Sequence, residues 1–291
     1  MTSNKKSQNV PMQEIVYTPD SELLNLGRFL RSMAADLLSS RELAWRLFVR
    51  NVSAQYRQSL LGYLWAFVPI LFTTAIWVFL NSQNILEVAD TDMPYPLFVL
   101  TGTVLWYTFA DALESPLKLV SESKAMLSKI NFPREALILT GIGLVLFNFL
   151  IRAAVLICVY IWYGVSMPVT LLLVPFGVVS LILLGLSFGL LLTPLGILYN
   201  DVGRSIAIGT QAWFFLTPVI YPVPQASWAA KLVNLNPVTP LLQTTREWLT
   251  TGQTSQLSAF LWVTGISLVF LFIGWVFYRI SMPHLISRMS A

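Results

Sequence analysis

The chain has 291 residues, of which 56% are hydrophobic and only 11% charged, with a formal net charge of +4. A soluble domain carries roughly 25% charged residues, so this composition excludes an ordinary soluble protein and describes an integral membrane one. A single cysteine, Cys158, excludes an intrachain disulfide, and a single histidine, His284, with few acids in the apolar runs leaves no evident metal site.

The first 38 residues are mostly polar, a cytoplasmic N-terminal extension, although Leu23, Leu26, Leu30, Met33 and Leu37 repeat at helical spacing and predict a surface helix. No cleavable signal is expected, because the first apolar run begins near residue 60, too far in and too long for one. Residues 39–58 read as an amphipathic helix opened by the capping-box pattern Ser39-x-x-Glu42. Arg46, Arg50 and Arg57 fall on one side of it, and Trp45, Phe48, Val52 and Tyr56 on another. This is the pattern of an interfacial helix, its arginines toward anionic headgroups; the plainer alternative is a soluble helix with a solvated charged face.

Six spans follow within residues 59–280: about 60–80, 95–114, 136–164, 170–198, 205–221 and 257–278. Residues 281–291 form a tail. Positive charge orients them. Lys5, Lys6, Arg28, Arg31, Arg41, Arg46, Arg50 and Arg57 precede the first span. Lys118, Lys124, Lys129 and Arg134 lie between the second and third, Arg204 between the fourth and fifth, and Arg279 and Arg288 in the tail. Lys231 and Arg246 lie on the other side. Both termini are therefore expected in the cytoplasm. Between the last two spans, 227–235 and 241–249 read as short helices broken by Asn236-Pro237-Val238-Thr239-Pro240. They predict a re-entrant hairpin, against the alternative of a surface loop with two amphipathic turns. The fold class expected is thus all-α integral membrane, with six transmembrane helices, an N-terminal interfacial helix and short re-entrant external helices.

No catalytic constellation is visible, and no Gly-Lys pair occurs, so a Walker A loop is excluded and any ATP-driven motor belongs to another polypeptide. Arg152 lies about 15 residues, roughly 22 Å, into its span. A lone arginine at that depth costs about 2.5–3.5 kcal/mol on insertion scales. Asp111 is the nearest acid in a span, but its expected position a turn from the cytoplasmic end does not match that depth. Two readings stand for Arg152: a cavity or subunit contact, or a hydrogen bond to Asn148. The aromatic residues Trp65, Trp77, Trp106, Tyr107, Trp213, Phe214, Phe215 and Tyr221 suit stacking on sugar faces along a conduit, against the plainer alternative of ordinary membrane anchoring or packing. A helix over Leu119 to Ile130 with a basic surface can dock on a partner, or is a solvated loop that sets topology.

Several stretches resemble one family, the ABC-2-type permeases that export bacterial polysaccharides such as O-antigen, capsule and teichoic acid. Gln55-Tyr56-Arg57-Gln58-Ser59-Leu60-Leu61-Gly62-Tyr63-Leu64-Trp65 is similar to its entrance motif, and Lys129-Ile130-Asn131-Phe132-Pro133-Arg134-Glu135 to the exit of its coupling helix. Tyr199-Asn200-Asp201-Val202, Leu216-Thr217-Pro218-Val219-Ile220-Tyr221-Pro222 and Leu235-Asn236-Pro237 resemble further segments, although the family often has Arg at the place of Asn200. In the first span Val68-Pro69-Ile70 keeps the family's Pro and lacks its Asn.

The resemblance implies a homodimer of six-span subunits in the bacterial inner membrane, with a channel at the dimer interface. It implies two copies of a cytoplasmic ATP-binding subunit below, which bind the ATP and Mg; the permease has no cofactor of its own. The substrate implied is a lipid-linked glycan, and membrane lipids are the other contact; no nucleic acid is expected. The loop at Leu61-Gly62 would lie at the entrance for the pyrophosphate-lipid headgroup, 118–131 would be the coupling helix and 222–250 the external gate. Candidate channel residues are Arg57, Leu61, Gly62, Tyr63, Trp65, Trp77, Trp106, Tyr107, Arg152, Trp213, Phe214 and Tyr221. Candidates for coupling are Lys118, Glu122, Lys124, Lys129, Phe132 and Arg134. The rival functions are an ABC-2 exporter of a small lipid or drug, and an integral membrane glycosyl- or acyltransferase. The second would need acid/base groups that are sparse here, Asp111 with Glu114 being the close acid pair in a span.

Overall fold

The computed structural model describes residues 26–57, 67–83, 85, 91, 93–130, 132–165, 168–223 and 228–289. All regular elements among them are helical: α1 (Leu26–Ser39), α2 (Arg41–Arg57), α3 (Val68–Ser82), α4 (Tyr95–Glu122), α5 (Lys124–Leu127), α6 (Glu135–Tyr163), α7 (Val174–Leu198, led by a 3-10 turn at Val169–Leu173), α8 (Asn200–Leu216), α9 (Trp228–Leu235), α10 (Val238–Leu249) and α11 (Leu257–Met289).

Four of these stretches are long and apolar enough to cross a membrane: Tyr95–Glu122, Glu135–Tyr163, Val169–Leu198 and Leu257–Ile286. The other two expected spans correspond to shorter helices. α3 has 15 residues and α8 has 17, below the ~20 that a straight crossing needs. α8 stops at Leu216, five residues before the expected end, because Pro218 disfavours helical backbone at Thr217, which is extended at φ −101°, ψ 139°.

α4 is the central helix. It is packed against α7, α6 and α3, while α11 covers the far side of α7. Contact between α4 and α7 is backbone-close. A Cβ at Gly185 would lie 2.5 Å from the Phe109 carbonyl oxygen, and one at Gly189 equally close to that of Leu113. Glycines four apart on one helix face allow this approach, and any side chain would prise the pair apart. The second span also runs past its expected end at residue 114, through Pro116 to Glu122. Proline supplies no N–H to the Ala112 carbonyl, and the Ser115 hydroxyl donates to that carbonyl instead at 3.4 Å.

The amphipathic helix α2 runs beside the first half of α6, in the same direction. The Thr140 hydroxyl donates to the Ala44 carbonyl at 3.2 Å, and Phe48 lies against Gly143 and the ring of Phe147. Its stripe buried against the bundle is Ala44 and Leu47, and Trp45 is 65% exposed. The capping box does not form. Ser39 ends α1, and its hydroxyl, like that of Ser40, turns back to the Asp36 carbonyl.

Candidate functional site: a charged cleft, an aromatic wall and a pinned turn

One face of α4 carries Tyr107, Asp111, Glu114, Ser115, Lys118 and Glu122 at helical spacing. From Asp111 to Glu122 they line a cavity of about 430 Å3, closed by Asn51 and Gln55 of α2 and by Asn148 of α6. At the level of Asp111 the Arg152 guanidinium reaches across from α6. Its Nη1 lies 2.7 Å from Asp111 Oδ2, and its Cζ lies 5.3 Å from the centre of the Tyr107 ring. The contact is an ion pair without aligned hydrogen-bond geometry. The Arg152 side chain is 10% exposed and that of Asp111 27%.

This pairing corrects the depth argument that separated the two residues. Asp111 is 11 residues, or ~16 Å, from the end of α4, because the helix continues to Glu122. Arg152 is 17 residues, or ~25 Å, into α6. The helices are antiparallel, and side chains lean toward their own helix N-terminus. Asp111 therefore leans up and Arg152 leans down, and the long arginine closes the gap. The partner the structure gives Arg152 is Asp111, beside the cavity, and not Asn148.

The expected channel rings divide into two groups. Trp213 and Phe214 attach α8 to the bundle. Trp213 lies edge-on to Trp106, Phe109 and Phe188 at 6.5, 5.2 and 5.6 Å, and Phe214 to Trp106 at 5.8 Å. Trp106 is 2% exposed, so it backs this wall from the core. Trp77 of α3 is only half-buried, meets the exposed Phe215 edge-on at 6.2 Å, and together they form an outward aromatic surface. Tyr221 is half-buried, and its hydroxyl donates to the Phe215 carbonyl at 2.9 Å.

Beyond α8 the backbone is irregular, and side chains satisfy it. Arg246, 6% exposed on α10, donates to the carbonyls of Pro218 at 3.1 Å and Val219 at 2.7 Å, with its Cζ 3.9 Å over the Phe98 ring. The Tyr95 hydroxyl donates to the Ile220 carbonyl at 3.1 Å. Asn236 closes the junction of α9 and α10. Its carbonyl oxygen accepts from Trp213 Nε1 and from the Val238 amide, both at 3.0 Å, and its Nδ2 donates to Thr217 Oγ1 at 2.7 Å. Freed carbonyls at membrane depth require such partners. Gly102 is required here, since a Cβ would collide with the Arg246 guanidinium and the Val219 carbonyl. By sequence Arg246 is a charge on the outer side, and Asn236 a helix breaker within a family-like stretch; neither reading gives these contacts. The signal available was an arginine inside the amphipathic, threonine-rich run of α10.

The expected coupling residues do not share one helix over 118–131. Lys118 and Glu122 are exposed on the end of α4 and line the charged cleft. The chain breaks at Ser123, and Lys124 opens the four-residue α5. Lys129, Phe132 and Arg134 line a second cavity of about 280 Å3, together with Ile286 of α11. Leu61, Gly62, Tyr63 and Trp65 lie outside the described residues, as does the side chain of Arg57.

A family model described as ABC-2 type transporter matches residues 42–250. Among curated proteins the chain is 25% identical over 214 residues to an O-antigen export system permease protein, RfbA, of Myxococcus xanthus, covering 72% of this chain and 81% of that one. It is 23% identical over 226 residues to the RfbA permease of Klebsiella pneumoniae, with 75% and 85% covered. It is 24% identical over 244 residues to the polysialic acid transport protein KpsM of Escherichia coli, with 80% and 91% covered.

Proposed function

Because the chain belongs to the ABC-2 type transporter family, we infer that it is the membrane-spanning permease subunit of an ATP-driven exporter of a lipid-linked polysaccharide. An O-antigen is the first choice of substrate, and a capsular polymer or teichoic acid the second. The observation that carries this reading is that relatives aligned over most of the chain are named for O-antigen export and polysialic acid transport. The permease is no enzyme in this reading; ATP and Mg bind a partner subunit.

Two copies of the chain form the conduit between them. The exposed faces of α3 and α8 suit that role. α8 leaves Ser205, Ala207, Gly209, Gln211 and Ala212 exposed, small or polar groups that let backbone approach a passing chain or a second copy. Trp77, Phe215 and Tyr221 add ring faces, which hold sugars without fixing their register. The segment with Arg57, Leu61, Gly62, Tyr63 and Trp65 receives the pyrophosphate headgroup, and Arg57 is its anion contact. Two ATP-binding subunits dock at the end carrying residues 124–134, and α9 and α10 gate the opposite end as a re-entrant pair. The excess of Lys and Arg supports cytoplasmic termini, and the export permeases among the relatives support a bacterial inner membrane.

The test is depletion of the chain in its host, followed by mass spectrometry of lipid-linked glycans on the cytoplasmic side. Accumulation of one long polymer on a polyprenyl-type carrier is expected and names the substrate. Unchanged surface glycan with no accumulation overturns the reading in favour of a small-substrate exporter.

A further inference from the structure

Arg279 belongs, by sequence, to the basic tail that orients the chain. In the structure its side chain is 14% exposed and joins three helices. Nη1 donates to Glu135 Oε1 at 2.7 Å, and Nη2 to Asp36 Oδ2 at 2.6 Å and Ser32 Oγ at 3.3 Å. Its Cζ lies 5.6 Å from the Phe29 ring. Glu135 is the first residue of α6, directly after the 127–134 segment, and its side chain is 5% exposed. Asp36 and Phe29 belong to α1, whose Phe29 and Met33 are 5% and 1% exposed.

The apolar packing at this end follows the same plan. Leu127 and Phe132 share one cluster with Tyr278, Met282 and Leu285 of α11 and with Ala44 and Leu47 of α2. The Tyr278 hydroxyl reaches the Arg134 carbonyl at 3.5 Å. The segment between α4 and α6 is therefore seated on α11, the most distant helix in sequence. α11 in turn lies along α7, and α7 along α4.

We propose that Arg279 is a positioning residue for transport: it makes the 124–134 segment, the start of α6, the end of α11 and α1 move as one body, so that displacement of that segment by the ATP-binding subunits enters the bundle through α11 as well as through α4 and α6. The geometry favours this role over simple surface pairing. A guanidinium fixed by both terminal nitrogens to two carboxylates on two helices resists rotation of either one, which a single contact does not. It also gives α1 a function, as the outer arm of the joint.

This inference rests on the proposed function, and the experiment separates the two. The chain is co-expressed with its ATP-binding subunit, purified as the complex and reconstituted in vesicles, and polymer exported per ATP hydrolysed is measured for wild type, R279Q, E135Q, D36N and the charge-rearranged variant R279E/E135R/D36N. The expected result is assembly and basal ATP hydrolysis within twofold of wild type for R279Q, with export per ATP at least tenfold lower. E135Q, which keeps shape and removes charge, is expected to fall similarly, D36N less, and R279E/E135R/D36N, in which no second carboxylate faces the one placed at position 279, to recover part of the loss. R279Q or E135Q exporting at the wild-type ratio overturns the inference and leaves the proposed function standing. So does loss of assembly in both variants without recovery in the rearranged variant, since that marks a folding role alone. A wild-type complex that hydrolyses ATP and moves no polymer overturns the proposed function, and this inference with it.

Discussion

The Asp111–Arg152 pair makes an asymmetric prediction that follows from burial. Removing Asp111 leaves a guanidinium 10% exposed, deep between α4 and α6, with no opposite charge. Breaking a buried pair in this way costs about 3–5 kcal/mol. Removing Arg152 leaves a carboxylate 27% exposed beside a 430 Å3 polar cavity, where water can solvate it, and the expected cost is about 1–2 kcal/mol. Replacing both by apolar side chains removes the two desolvation penalties together and is expected to be within about 1 kcal/mol of wild type. The coupling energy in the double-mutant cycle is then about 4 kcal/mol, the attraction of unit charges ~4 Å apart at an effective dielectric of ~20. The assay is thermal unfolding of the purified chain in one detergent at one scan rate, for D111L, R152M and the double variant. At ~2 °C per kcal/mol for a chain of this size, the midpoint falls by roughly 8 °C for D111L, 3 °C for R152M and under 2 °C for both. Equal losses for the two single variants, or a double variant equal to their sum, would refute the reasoning.

Four further outcomes are expected. Gly189→Val, which drives a side chain into the Leu113 carbonyl and Pro116, abolishes membrane-inserted protein, whereas Gly209→Val, which meets open space in the single chain, leaves its melting midpoint within about 2 °C of wild type. Asn236→Leu strands the Trp213 and Val238 N–H groups and costs about 2–4 kcal/mol, while Asn236→Asp keeps both acceptor bonds and loses less, read from the same melts. Trp106→Ala empties a core position and costs about 3–5 kcal/mol of stability, but Trp77→Ala spares stability and lowers polymer export, measured as surface glycan per inserted copy. Arg246→Lys, a compact cation in place of a planar fork, holds one of the Pro218 and Val219 carbonyls and frees the other; it is checked by faster amide exchange across 217–221.

Much of the architecture was legible in the chain. α6, α7 and α11 start within a few residues of the expected positions, because each is a continuous apolar run bounded by polar residues or turn signals. The break between α9 and α10 was legible too at Asn236-Pro237, although α10 starts at Val238, three residues before the expected 241. Other boundaries were missed where a side chain repaired a local fault. The second span is expected to end at 114, yet α4 runs on through Pro116 to Glu122, with the Ser115 hydroxyl donating to the carbonyl that Pro116 leaves free. That extension moved Asp111 deeper and hid its pairing with Arg152, and the break at Ser123 put Lys118 and Glu122 on one cavity and Lys129, Phe132 and Arg134 on another.

Composition and periodicity determined that this protein lives in a membrane, where its apolar runs fall and which end carries the positive charge. Those properties are sums over neighbouring residues, and solvent transfer acts on them one segment at a time. Tertiary structure decided which face of α2 is buried, which carboxylate holds Arg152, that Trp106 backs a wall, and that Arg246 and Arg279 act as internal fasteners. Each depends on the rotation, tilt and spacing of a second helix far away in the chain. A glycine pair such as Gly185 and Gly189 fixes that spacing only once its partner helix is in place.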